Sequence, residues 1–294
     1  MSPRTRPALA YFKAAILIAC LGNVTFAQQP TVSHTFPLGI TGKTQGPAFA
    51  VDQKNEIWFG GAIDSAVSFG QGPLLANADG PAAFLTKFDA AGNALFSRAF
   101  RSGFDAVTSI AVDNSNNAWV VGYTSGGSID LGGGPLTYGW MPNALPSIGH
   151  SYSTTSTNLE PTAMFLAKYD EAGNHLFSEV FPATDVYPTQ IAVDDSNNVF
   201  VLGQFELLLK YGRHTYDDSL YPDASLILDR VSNDTLYAQD AINFFLAKYD
   251  STGKYLTHNT FGSTDHSFYS SAQHYMNGLD IMKGSCKPCL LGYS

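Results

Sequence analysis

FDAAGNALF, residues 88–96, is matched by YDEAGNHLF from Tyr169 and by YDSTGKYLT from Tyr249. Each copy lies inside a longer phrase: FLTKFDAAGNALFSRAF from Phe84, FLAKYDEAGNHLFSEVF from Phe165 and FLAKYDSTGKYLTHNTF from Phe245, 81 and 80 residues apart. Repetition at a fixed spacing decides the fold class before any other feature is weighed. A second phrase precedes each copy of the first: FAVDQKNEIWFGG from Phe49, IAVDNSNNAWVVG from Ile110 and IAVDDSNNVFVLG from Ile191. The six loops share one form, Asp-x-x-(Gly or Asn)-x between apolar or aromatic runs. Asp at the first position can bond backbone amides two residues on. The fourth position calls for positive φ, which Gly takes freely and Asn tolerates. A type I turn followed by a left-handed residue connects hairpins, so each phrase is read as a β-hairpin.

Two hairpins per repeat make a four-stranded unit, with strands of about five to seven residues such as AWVVG, VFVLG and FLAKYD. Such a sheet cannot cover both of its apolar faces alone, and stacked neighbours bury them. The expected fold is therefore all-β: a β-propeller-like array of four-stranded antiparallel blades, with three full repeats and a partial fourth. The repeats fall at about 47–101, 107–182, 188–262 and, in part, 274–294. In the partial repeat, MNGLDIMKGSCKPCLLGYS supplies the first two strands, and a strand around SHTFPL near the N-terminus is comparable to SRAF of the first full repeat. The array is read either as a four-bladed ring with one thin blade or, preferred, as an incomplete ring or a fragment of a longer propeller.

Composition agrees with this reading. Of 294 residues, 45% are hydrophobic, 13% aromatic and only 14% charged, with 27 glycines, which suits many short strands and turns better than helices. Arg4, Arg6 and Lys13 precede the apolar run AAILIACLG and a polar QQP, the layout of a secretory signal peptide, taken as residues 1–27 with the repeat domain at 28–294. Lipid attachment at Cys20 is the alternative. The apolar run is too short to span a bilayer, so an integral membrane protein is not expected. The 16 Lys and Arg less these three leave 13 against 25 acids, a formal charge of −12, which argues against nucleic-acid partners.

The phrases read in order, IAVD, turn with Asn, aromatic-Val-x-Gly, spacer, FLAKYD, turn with Gly-Asn and LFSxxF, resemble the SBBP family of bacterial β-propeller repeats, found in secreted and surface proteins. The likeness covers roughly residues 31–293, and the spacer pieces SFGQGPLL from Ser68 and DLGGGPLTYG from Asp130 share it. The resemblance implies a propeller architecture and an exported protein. It implies no catalytic residue.

The long spacers at 123–162 and 206–241 are where function is expected to reside. Tyr138, Trp140 and Tyr152 in the first, with Tyr211, His214 and Tyr216 in the second, are candidates for an aromatic and polar platform for a glycan or peptide; packing on the blades is the competing reading. SIDLGG and LLLKYG are candidates for an extra edge strand. Cys286 and Cys289 form CKPC, read as a local disulfide or a pair of free thiols rather than a redox motif, because they lie in a hairpin and not between a strand and a helix. DNSNN and DDSNN loosely resemble the start of a calcium loop but lack its Gly and distal Glu, so no cofactor is expected, with calcium the alternative. The leading function is a binding or scaffold module at the cell envelope or outside the cell, for a glycan, peptide or envelope protein. A secreted propeller-type hydrolase or lyase, and a structural surface component without a ligand pocket, are the alternatives.

Overall fold

The computed structural model describes residues 44–78, 80–138, 162–183, 186–206, 225–229, 234–237, 242–262, 275–282 and 287–293. Among the described residues every regular element is a strand. The first sheet is built from β1 (Thr44–Val51), β2 (Ile57–Ile63), β5 (Ala82–Phe88) and β6 (Ala94–Phe100), with the short hairpin β3 (Val67–Ser68) and β4 (Pro73–Leu74) inserted between β2 and β5. The second uses β7 (Ala106–Val112), β8 (Ala118–Ser125), β11 (Thr162–Tyr169) and β12 (His175–Ala183), with the insert hairpin β9 (Ser128–Asp130) and β10 (Pro135–Thr137). The third uses β13 (Val186–Val193), β14 (Val199–Glu206), β17 (Ile242–Tyr249) and β18 (Tyr255–Gly262). Its insert, β15 (Ser225–Asp229) and β16 (Asp234–Tyr237), joins the edge of the preceding sheet at Ala183 and Leu226, so the second sheet has six strands. A two-stranded sheet of β19 (Tyr275–Met282) and β20 (Lys287–Tyr293) ends the series.

The six repeated loops turn as their residue types dictate. In every one the Asp amide bonds the carbonyl four residues on, and the amide of the fourth residue bonds the Asp carbonyl, at 2.8–3.1 Å. The fourth residue has positive φ in all six: Asn55, Asn116 and Asn197 near 60°, and Gly92, Gly173 and Gly253 near 90°. The Asp side chain completes the loop. Asp113 Oδ1, for one, accepts from the amides of Ser115 and Asn117, both at 2.9 Å.

The sheets lie face to face, with β1 packed on β7, β7 on β13 and β13 on β19. One apolar layer between the first and second sheets holds Trp58, Leu85, Phe100, Val107, Ile110, Val120 and Phe165. A second layer between the second and third sheets holds Trp119, Leu166, Phe181, Ile191, Val201 and Phe245. Gly122 and Gly203 mark close approaches at the same strand position in the second and third sheets. A Cβ at Gly122 would lie 2.0 Å from Ala106 O, and one at Gly203 would lie 2.6 Å from the Phe245 ring, which explains the glycine that ends VVG and VLG.

The expected extra edge strand takes a different form. SIDLGG enters the separate β9–β10 hairpin, and the strand added to a sheet edge is β15; LLLKYG lies outside the described residues. The hairpins β3–β4 and β9–β10 are equivalent devices. Gly70 and Gly132 share φ near 107°, Gly72 and Gly134 share φ near 100°, and Val67 and Phe69 are buried as Ile129 and Leu131 are.

Candidate functional site

The lysine of FLAKYD stands in the middle of an apolar strand, which calls for partners inside the fold. Lys87, Lys168 and Lys248 lie directly across from Trp58, Trp119 and Phe200 on the neighbouring strand. Each ammonium sits 4.8–4.9 Å from that ring centroid, an attractive cation–π arrangement. Each also pairs with the Asp that opens the first turn of its own sheet: Asp52 at 3.1 Å, Asp113 at 3.0 Å and Asp194 at 3.8 Å. Burial pushes the Asp52 and Asp113 carboxyls up, but amide donors and the lysines outweigh it and hold both below the ordinary carboxylate range.

The same lysines bind the next sheet. Lys87 Nζ donates to Glu171 O at 2.8 Å and Lys168 Nζ to Ser251 O at 3.1 Å, in both cases the second residue of the following FLAKYD turn. With Glu56 Oε2 at 2.6 Å, the Lys87 ammonium has three oxygens within 3.1 Å. At the other set of turns the asparagines do the linking. Asn116 Oδ1 accepts from Gln53 N at 3.1 Å, and Asn197 Oδ1 accepts from Asn114 N at 3.0 Å. The glycines of the FLAKYD turns are instead pressed by rings: a Cβ at Gly173 would lie 2.5 Å from the Phe96 ring and one at Gly253 would lie 2.4 Å from the Phe177 ring. This clasp of Asp, Lys and aromatic ring is a line of structural charges, and its groups are committed to one another.

Where the spacers leave the sheets, a polar network surrounds Asp105, which is fully buried. Its carboxylate accepts from Thr124 Oγ1 at 2.6 Å, Ser102 N at 2.7 Å and Asn77 Nδ2 at 3.1 Å, yet burial prevails and pushes the acid up to about 6. Tyr138 belongs to this network: it is buried, its hydroxyl lies 3.2 Å from Thr124 Oγ1, and burial raises it to about 12. It packs within the interface between the first two sheets rather than standing on an open surface. At the rim, the β9–β10 turn is closed by Asp130 Oδ1, which accepts from Gly132 N and Gly134 N at 2.7 and 3.1 Å. Arg98 and His175 lie against Gly132 and Gly133; burial first, and then the Arg98 charge, hold the His175 imidazole below its ordinary range.

Trp140, Tyr152, Tyr211, His214, Tyr216 and Cys286 lie outside the described residues. Cys289 is in β20, opposite Asp280, at the register place that Trp58, Trp119 and Phe200 hold in the complete sheets. Among the described residues no group of three His, Cys, Asp or Glu is close enough to hold a metal ion, and no helix is long and apolar enough to cross a membrane. The clasp was missed in the sequence, although the signal was there: a lysine at one fixed place within three otherwise apolar strands. No protein-family model matches the chain, and no curated protein matches it.

Proposed function

We propose that this chain is an exported repeat scaffold of the SBBP-like, β-propeller type, which holds its long spacers in place as binding elements at the cell envelope or outside the cell. The observation that carries this reading is the clasp. Three successive sheets use one set of charged and aromatic partners to stack, and the spacers at 139–161 and 207–224 leave each time from the same place, between the second and third strands. A rigid array with variable insertions at equivalent points is a platform for recognition. Asp52, Asp89, Asp113, Asp170, Asp194 and Asp250 are tied up in the turns and Asp105 in a buried network, which favours binding over hydrolysis. The ligand class that fits aromatic and polar spacers in an acidic protein is a neutral glycan or a peptide.

Two measurements test it. Fractionation of a bacterial host with N-terminal sequencing of the product is expected to find the chain outside the cytoplasm, beginning at Gln28; a cytoplasmic chain starting at Met1 would overturn export. Binding to a glycan and peptide array is expected to be lost when Trp140, Tyr152, Tyr211 and Tyr216 are replaced by Ala. Equal binding by that variant, or none by the parent chain, would overturn the platform.

A further inference from the structure

Each complete sheet carries a polar residue at one register place on its outer strand: Arg98 opposite Leu85, Glu179 opposite Leu166 and Asn259 opposite Leu246. A place that takes a cation, an acid and an amide in turn is not held to arginine by the stacking. Arg98 is half-buried, yet among the described residues it makes no hydrogen bond and no ion pair, and its Nη1 is shut off from water without an acceptor. Its guanidinium rests over the Phe96 ring, 5.7 Å from the centroid. The clasp lysines Lys87 and Lys168, by contrast, are paired with acids of their own sheets. A cation brought inside the fold ordinarily has such a partner.

Three elements converge on that guanidinium. Tyr169 on β11 donates to Leu131 O at 2.7 Å and fixes the β9–β10 turn to the second sheet. Within the turn, a Cβ at Gly132 would collide with Arg98 Nη1 and one at Gly133 with the His175 ring, so arginine and imidazole both lie against bare backbone. His175 Nε2 is in turn 2.8 Å from Ser178 Oγ. Gly132 and Gly133 are exposed, so solvent reaches the turn. Asp130, the acid of the turn, gives its Oδ1 to the amides of Gly132 and Gly134 and forms no ion pair with Arg98. Because His175 is held below its ordinary range, the cation of this group at neutral pH is Arg98.

We propose that Arg98, with His175 and Ser178 beside it, binds the terminal carboxylate of a peptide ligand. A planar guanidinium meets a carboxylate with two parallel N–H···O bonds, and the imidazole and hydroxyl add polar partners without adding charge. One cation with Asp130 in the adjoining turn suits a monoanion better than a phosphate dianion. Of the two ligand classes proposed above, a peptide carries a carboxylate and a neutral glycan does not. The choice of a peptide rests on that reading, whereas the unpaired arginine and its neighbours stand on their own geometry.

Calorimetric titration of the full chain with acetyl-Ala-Ala, as the free acid and as the C-terminal amide, tests it, with the His175 ring followed by NMR. The parent is expected to bind the acid at least about tenfold more tightly than the amide, the worth of one charge-assisted contact. The acid is also expected to raise the pH at which His175 titrates, because an added anion favours the imidazolium. Arg98→Met, which leaves a long side chain over Phe96 and against Gly132, is expected to erase the preference, and Arg101→Met, at an exposed arginine, to keep it. Should Arg98→Met fail to fold, Ser178→Ala is expected to weaken the acid several-fold and leave the amide unchanged. Equal binding of acid and amide by the parent, binding of neither, or a preference that survives Arg98→Met or Ser178→Ala would overturn the site. Array binding through the spacer aromatics is read separately, so it can stand where the carboxylate preference fails, and the reverse.

Discussion

Lys87 on β5 donates to the backbone carbonyl of Glu171, 84 residues further along the chain, while its charge pairs with Asp52 in its own sheet. One side chain thus fixes a turn, fills the space beside Trp58 and ties two sheets together. The arrangement recurs with Lys168 and ends with Lys248, whose ion pair is longer at 3.8 Å and whose side chain is 26% exposed.

Replacing these lysines by Met should therefore have graded effects. Lys87→Met strands a buried carboxylate and is expected to cost about 3–5 kcal/mol, whereas Lys248→Met is expected to cost about 1 kcal/mol or less. Urea unfolding of the two variants checks this. Equal losses would show that the lysines act only as surface charges.

The two kinds of turn should respond differently to substitution. Gly173 has φ 86° and lies under the Phe96 ring, so Gly173→Ala is expected to cost at least about 1–2 kcal/mol from the backbone alone, and more from the ring contact. Asn116→Gly keeps the backbone at ease but loses the bond from Gln53, for a cost of about 0.5–1.5 kcal/mol. Thermal melts rank the pair. The reverse order would contradict the assigned roles.

Asp105 gives the fold a signed pH dependence. Its folded-state value of about 6 lies above the ordinary 3.8, so the native state holds this proton more tightly than the unfolded chain does. Its contribution is full below about pH 4 and is lost as pH rises through 6, a change of about 3 kcal/mol. Carboxylates held low, such as Asp52 and Asp113, act in the opposite sense as pH falls below their ordinary range. The Asp105 part is therefore read as the difference between the parent and Asp105→Asn across pH 4–7. A difference that does not change with pH would refute it.

The Asp turns should be indifferent to calcium removal. Asp113 Oδ1 is held by two backbone amides, and its Oδ2 lies 3.0 Å from both Lys168 Nζ and Asn117 Nδ2. A melting midpoint that moves by less than about 1 °C on adding chelator is expected, and a drop of several degrees would mean that the turns carry metal.

The turns and strands were legible in the sequence because their causes are local. A positive φ must be met by Gly or Asn, and alternate apolar residues must share a face, so Asn55, Gly92 and their counterparts announced all six hairpins. The clasp was harder to read because its meaning is distant. Nothing near Lys87 in sequence shows that Glu171 O will lie 2.8 Å away. Tyr138 shows the same limit: next to GGGPLTYGW it reads as a loop aromatic, and only the fold places it beside Thr124 and Asp105. The attachment of β15 to the preceding sheet, through Ala183 and Leu226, left no pattern in the spacer that carries it.

The central claim is that successive sheets are equivalent and are joined by the same lysine. A crystal structure of the chain measures it directly, through the distances from Lys87 Nζ to Glu171 O and from Lys168 Nζ to Ser251 O. Values close to 2.8 and 3.1 Å, with Gly173 and Gly253 both at positive φ, are the expected result. Lysines turned out to solvent, or unlike turn contacts at the two junctions, would contradict the account.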